Sequence, residues 1–129
     1  MSDAVDSSGL REPGLGSLLV ELLQDADLRL SASHKWLVEH EAELRRVIEG
    51  RFPLRGNLML LRRINEHFES WVLETCWFFK GTGRLSFNTI CESMGIDLDA
   101  AREQRAHLQI LPVSARQLWD ALEALSARV

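Results

Sequence analysis

The segment between residues 44 and 65 is strongly basic, although the chain as a whole has a net charge of −4. Six arginines stand there against one acid, Glu49, so the local formal charge is +5. They are Arg45, Arg46, Arg51, Arg55, Arg62 and Arg63. A guanidinium can hold a phosphate or a carboxylate through two parallel hydrogen bonds, which lysine cannot do. The segment is therefore either an anion-binding patch or a solvated corner whose arginines pair with acids such as Glu39 and Glu43.

A second segment, residues 86–108, has the spacing of a helix-turn-helix unit. Such a unit needs a small residue in its first helix, a glycine at the turn and apolar residues on both sides. Cys91 is the small residue, and Gly95 follows four positions later. The pattern weakens after the turn, because Gln104 or Arg105 occupies a position that is usually apolar.

The stretch from Trp71 to Arg105 resembles the helix-turn-helix superfamily of bacterial DNA-binding proteins. It also resembles a group of small bacterial proteins with the pattern SFxxxCExxG(I/L)D, matched here from Ser86 to Asp97. The resemblance implies a helix-turn-helix-like fold. That group has no assigned function that could be carried over to this chain.

The first functional hypothesis is a small regulatory protein that binds double-stranded DNA through the second helix of this unit, as a homodimer. The candidate DNA contacts are Arg84, Arg102, Gln104, Arg105, Arg45, Arg46, Arg62 and Arg63. Three acids, Asp97, Asp99 and Glu103, stand near the start of the same helix. They would face the phosphates and weaken the electrostatic attraction on which non-specific DNA affinity depends.

The alternative hypothesis is a protein–protein interaction module or inhibitor that uses the same helical scaffold. Trp71, Trp77, Phe78 and Phe79 make one helix end apolar on most sides, so something must cover it. In this hypothesis Trp77 and Phe78 bind the partner protein in an exposed apolar groove. Packing in the core is the other interpretation of the same aromatic residues.

Signatures of catalysis and of metal binding are missing from the sequence. It contains no P-loop, GxSxG, HExxH or GxGxxG segment, so we expect neither enzymatic activity nor a cofactor. The two cysteines and four histidines match no zinc-finger spacing, so we expect no metal site. We expect Cys76 and Cys91 to be reduced thiols inside apolar helical patterns.

Length and composition limit the class of protein. The 129 residues suit one domain, and 46% hydrophobic with 26% charged residues is typical of a globular protein. The net charge of −4 excludes a protein that coats nucleic acid indiscriminately. The most apolar stretch, Trp71–Phe79, is too short to span a bilayer. We therefore expect a cytoplasmic protein without a membrane partner.

Helical periodicity runs through nearly the whole chain after a polar, flexible tail at residues 1–16, and no segment alternates as a strand would. The sequence predicts one all-α domain over residues 17–129, a bundle of five or six helices that contains the helix-turn-helix-like unit. Ser17 caps the first predicted helix, over residues 18–30, and Ser33 caps the second, which ends at Glu49. The third covers residues 58–80, the fourth runs from its Ser86 cap to Met94, and the fifth covers residues 98–108. The last runs from a Ser114–Gln117 capping box through Ala127.

Overall fold

The computed structural model describes residues 15–81 and 85–128. Within these ranges the chain forms six α-helices and one short 3-10 helix, with no strand, which confirms the predicted all-α class. The helices are α1 (Leu15–Glu39), α2 (Glu41–Ile48), α3 (Leu58–Lys80), α4 (Phe87–Met94), α5 (Leu98–Gln104) and α6 (Ala115–Ser126), with the 3-10 helix at Ala106–Gln109. All of them contribute side chains to one hydrophobic core. Of the predicted tail, residues 1–14 lie outside the described residues, and residues 15 and 16 already belong to α1.

The break between the first two predicted helices lies elsewhere, because α1 includes the whole of the first predicted helix and the beginning of the second. α1 runs without interruption from Leu15 to Glu39. Ser17 and Ser33 are therefore residues inside a helix rather than caps, and Ser33 is buried. No glycine or proline stands between residues 18 and 49 to take the chain out of the helix. A serine in such a sequence gives no helix start by itself.

The chain leaves the helix at His40 instead. The His40 ring donates from Nδ1 to the Trp36 carbonyl at 2.7 Å, and the His40 backbone N–H turns to the Leu37 carbonyl at 3.2 Å. The side chain thus occupies the carbonyl that the backbone N–H would use in a continuing α-helix. α2 begins at the next residue.

The central helix is α3, whose predicted bounds are confirmed. α1 packs along it, while α2 packs against α6. α3 buries Leu61, Ile64 and Phe68, which lie on one face of the helix. It ends at Gly81, whose φ of +66° is the left-handed conformation that glycine adopts without steric cost.

The two helices predicted around Gly95 are present, but the second is shorter than predicted. Ser86 caps α4 by accepting from the Thr89 N–H, and Gly95 ends α4 with a φ of +68°. α5 stops at Gln104, and a 3-10 helix replaces its predicted last turn. Arg105 ends α5 as His40 ends α1, because its side chain takes the carbonyl four residues back and its N–H takes the carbonyl three back. Membership of the helix-turn-helix superfamily stays a prediction.

The last helix forms where it is predicted, one residue shorter. The Ser114 side chain accepts from the Gln117 N–H at 3.2 Å, which is one half of the predicted capping box. The helix then runs from Ala115 to Ser126 and buries Leu118, the residue that follows the cap by one turn.

Candidate functional site

Arg105, a predicted DNA contact, forms internal hydrogen bonds that link the end of α5 to α1. Its Nε and Nη2 donate to the two carboxylate oxygens of Asp27 on α1 at 2.7 and 2.9 Å, and its Nη1 donates to the Ala101 carbonyl. The guanidinium also lies 5.1 Å from the Phe78 ring centroid and 5.4 Å from that of Phe87. Hydrogen bonding to Asp27 raises the pKa of Arg105, which keeps the guanidinium charged. These contacts leave 15% of the side chain exposed.

Arg102, the second central candidate, is also engaged inside the fold. Its Nε donates to the Phe78 carbonyl at the end of α3 at 2.8 Å, and its Nη2 donates to Asn88 Oδ1 on α4 at 2.7 Å. A charge reversal at Arg102 and Arg105 would break internal hydrogen bonds. Such a variant therefore cannot serve as a test of DNA contacts.

The arginines of α2 have acidic partners on their own helix. Arg45 lies 2.6 Å from Glu41 and donates to the Pro112 carbonyl at 3.0 Å. Arg46 lies 3.9 Å from Glu43. This arrangement matches the interpretation of a solvated corner whose arginines pair with nearby acids.

Arg62 and Arg63 are exposed on α3, far from the helix-turn-helix-like unit. Sixteen residues separate Arg62 from Phe78, whose carbonyl anchors Arg102, so about 24 Å of helix lies between them. The structure therefore does not bring Arg62 and Arg63 together with Arg102. Gln104 is exposed on α5, and Arg84 lies outside the described residues. DNA binding by these side chains stays a prediction, and the geometry does not favour it.

Phe78, a predicted partner contact, does not line an exposed groove. Phe78 is completely buried, and its ring contacts the Phe87 and Trp77 rings at centroid distances of 4.8 and 4.9 Å. Trp77 is half-buried, and its indole N–H already donates to the Leu85 carbonyl at 2.7 Å. α4 folds over this end of α3 and covers the aromatic residues that the sequence left without a partner. Core packing, the other interpretation, holds for Phe78.

An apolar groove lies elsewhere, between α3 and α6, with a volume of about 1130 Å³. Its apolar lining consists of Leu58, Leu61, Phe68, Val72 and Leu73 from α3 with Trp119 and Leu122 from α6. Its polar rim consists of Arg62, Asn65, Glu66 and Glu69 from α3 with Glu123 and Ser126 from α6. Three of the apolar side chains are well exposed: Leu58 at 54%, Leu73 at 64% and Trp119 at 45%. The Trp119 ring stands edge-on to the Phe68 ring at 6.2 Å, which orients it at the groove.

Sequence reasoning missed this groove, although a signal for it was present. Leu58, Leu73 and Trp119 are large apolar residues that do not belong to the buried faces of their helices. Each of them alone is an ordinary exposed side chain. Only the placement of α6 beside α3 turns them into one surface, and no local pattern predicts that placement.

A stack of three rings joins α1 to α3. Trp36 lies nearly parallel to His40 at a centroid distance of 3.7 Å and to His67 at 4.5 Å. Arg63 lies 5.9 Å from the Trp36 ring centroid. Burial lowers the pKa of His67, and the positive charge of Arg63 lowers it further. The fold therefore favours neutral His67.

We expect the free energy of unfolding to decrease as the pH falls through 6.5, the usual pKa of histidine. The unfolded chain then binds a proton at His67 that the folded chain excludes, so stability present above this pH is lost below it. Urea denaturation at a series of pH values measures the slope. His67→Gln should flatten it, because glutamine does not titrate. Equal slopes for the original protein and His67→Gln would contradict the prediction.

The thiols and histidines form no evident reactive or metal-binding cluster within the described ranges. Burial raises the pKa of the Cys91 thiol, which keeps it protonated and unreactive at neutral pH. Cys76 is half-buried, and neither cysteine is in a disulfide. Across residues 15–81 and 85–128, His, Cys, Asp and Glu side chains form no group of three that could hold a metal ion.

The described helices include none with the length and apolar character needed to cross a membrane. Comparison of the chain with protein-family models, with curated proteins and with solved structures returned no significant match.

Proposed function

We propose that this protein is a protein–protein interaction module whose groove between α3 and α6 binds an amphipathic helix of another protein. The observation that supports it is the row of exposed apolar side chains in the groove. Leu58, Leu73 and Trp119 are all more than 40% exposed, although the rest of the groove floor is buried or half-buried. Covering them with an apolar partner would stabilise a complex by about 1.5–3 kcal/mol for each side chain that becomes fully buried.

The dimensions of the groove suit a helix. Leu58 and Leu73 are fifteen residues apart on α3, so the groove follows about 22 Å of helix. A partner helix of about fifteen residues, or four turns, has the same length. Two helices that flank a groove accept a third by packing its side-chain ridges between their own, with apolar residues at i, i+3, i+4 and i+7 as anchors. No strand edge is available in the described part of the chain for an extended peptide.

The α4–α5 unit offers a poorer binding surface than this groove. Its two arginines, Arg102 and Arg105, donate to groups inside the protein. Its exposed side chains include Asp97, Asp99 and Glu103, which would repel nucleic acid. We therefore place the partner-binding surface at the α3/α6 groove rather than at the aromatic end of α3. We propose partner binding in preference to DNA binding.

A designed peptide tests the proposal. The probe is a fluorescein-labelled helix of fifteen residues with leucine at the anchor positions and alanine and glutamine elsewhere, and its binding is measured by fluorescence anisotropy. We expect saturable binding that Trp119→Ala weakens by at least about 30-fold, since a central interface tryptophan typically contributes 2 kcal/mol or more. Leu73→Ala should weaken binding by a smaller factor, because it removes less apolar surface.

The matched control is Ile110→Ala, which removes a side chain that is 70% exposed but lies outside the groove. It should leave peptide affinity unchanged. Thermal denaturation of each variant confirms that the fold persists. The proposal fails if the peptide does not bind the original protein, or if Trp119→Ala and Ile110→Ala bind it equally well.

A further inference from the structure

We infer that the helix held by the groove is cationic, with lysine or arginine on both flanks of its apolar stripe. The inference rests on the proposed function and adds the charge of the partner to it. Its basis is the arrangement of carboxylates around the groove. Glu66 and Glu69 stand on the α3 side and Glu123 on the α6 side, against a single rim cation, Arg62. The rim therefore has a net formal charge of −2.

The three rim carboxylates have no ion-pair partner within residues 15–81 and 85–128, a property that they share with other exposed acids such as Glu21 and Glu103. Several acids elsewhere in those ranges are paired with arginine, as Glu74 is with Arg29 at 2.9 Å. No ion pair between described residues includes Glu66, Glu69 or Glu123, and all three are exposed. Because they line the groove, these unpaired charges are available to a ligand bound there.

Their spacing sets a pattern for the partner. Glu66 and Glu69 are three residues apart and lie on one side of α3, about 4.5 Å apart along the helix axis. One long basic side chain on the facing flank of a bound helix could reach both carboxylates. Glu123, across the groove, would pair with a basic side chain on the opposite flank. Such flanking charges choose a partner and its orientation, as they do beside the apolar seam of a coiled coil.

A second copy of this chain is a poorer occupant by the same criterion. Two copies related by a two-fold axis would present the same rim to each other, so two surfaces of charge −2 would meet. Arg62 could pair with one glutamate of the other copy, but the remaining carboxylates would face like charges. Electrostatic complementarity therefore favours a different, basic protein segment.

Three peptides that differ only in flanking charge test the inference. All carry the same leucine stripe over fifteen residues, with lysine, glutamine or glutamate on both flanks, and anisotropy is recorded at low and at physiological salt. We expect the lysine peptide to bind about tenfold more tightly than the glutamine peptide, since its lysines can form exposed ion pairs with the three rim glutamates. The glutamate peptide should bind most weakly. Salt should reduce the difference, because exposed charges are screened.

The triple variant Glu66→Gln, Glu69→Gln and Glu123→Gln should erase the preference for lysine and keep the binding of the glutamine peptide. A matched variant, Glu21→Gln, Glu39→Gln and Glu103→Gln, changes the net charge equally at exposed positions away from the groove. It should keep the preference.

The outcomes separate the two proposals. Equal binding of lysine and glutamine peptides would overturn the cationic partner and leave the helix-binding groove in place. Failure of all three peptides to bind would overturn both proposals. Sedimentation of the original protein as a dimer that Trp119→Ala dissociates would show that a second copy fills the groove, which also overturns both.

Discussion

Replacing Phe78 by alanine is expected to lower the free energy of unfolding by about 3–5 kcal/mol, the range for a buried phenylalanine. Phe78 has no exposed surface, and its ring is packed between Phe87 and Trp77 under the Arg105 guanidinium. Alanine would leave a cavity where four side chains now meet. Two of the neighbours, Trp77 and Arg105, are held by hydrogen bonds of their own, so the cavity could close only in part.

Urea denaturation followed by circular dichroism measures this loss, with the denaturant slope as a check that unfolding stays two-state. Phe79→Ala is the matched control, since it removes the same ring from the next, half-buried position. It should cost clearly less. Phe78→Leu provides a measurable variant if the alanine protein is largely unfolded, because it keeps most of the volume. A loss below about 1 kcal/mol for Phe78→Ala would contradict the assignment of Phe78 to the core.

Those parts of the fold that depend on local signals are predictable from the sequence. The bounds of α3 follow from a regular apolar stripe and a glycine at its end, and the caps Ser86 and Ser114 follow from a hydroxyl beside the first turn. Such signals act within four residues of the chain. They need no knowledge of what packs against the helix.

Two helix ends that the sequence does not predict, at His40 and at Arg105, depend on contacts with distant residues. His40 leaves the helix where its ring also stacks on Trp36, which in turn stacks on His67 of α3. Arg105 leaves the helix where its side chain turns inward to Asp27, 78 residues away in the chain. In both places a tertiary contact holds the side chain that interrupts the backbone hydrogen bonds. A local pattern contains no information about that contact.

The candidate site shows the same division. The sequence marks Gln104 or Arg105 as unusual, because a polar residue stands where a helix-turn-helix unit is usually apolar, and it places Arg102 among the candidate DNA contacts. The partners of Arg105 and Arg102, Asp27 and the Phe78 carbonyl, lie in other helices. The sequence therefore could not distinguish arginines that form internal hydrogen bonds from arginines exposed to a ligand. The α3/α6 groove depends even more on tertiary structure, since its residues have no unusual local setting.

Replacing Arg105 by methionine is expected to lower the free energy of unfolding by about 2–3 kcal/mol, as for the loss of charged hydrogen bonds at a largely buried site. Methionine keeps much of the apolar stem but removes three donors. The Asp27 carboxylate and the Ala101 carbonyl then lose their partners. Asp27 is 36% exposed, so water can solvate part of its carboxylate, and this limits the loss to less than a fully buried pair would give.

The control for the Arg105–Asp27 contact is Arg116→Met. It breaks an ion pair with Asp120 in which both side chains are more than 60% exposed. That variant should change stability by less than about 0.5 kcal/mol. Arg105→Lys should fall between the two, because the charge remains while the two-point contact with Asp27 is lost. Equal losses for Arg105→Met and Arg116→Met would mean that Arg105 contributes no more than a surface charge. A loss of stability that is largest for Arg105→Met, smaller for Arg105→Lys and smallest for Arg116→Met would instead identify Arg105 as the link between α1 and the aromatic core.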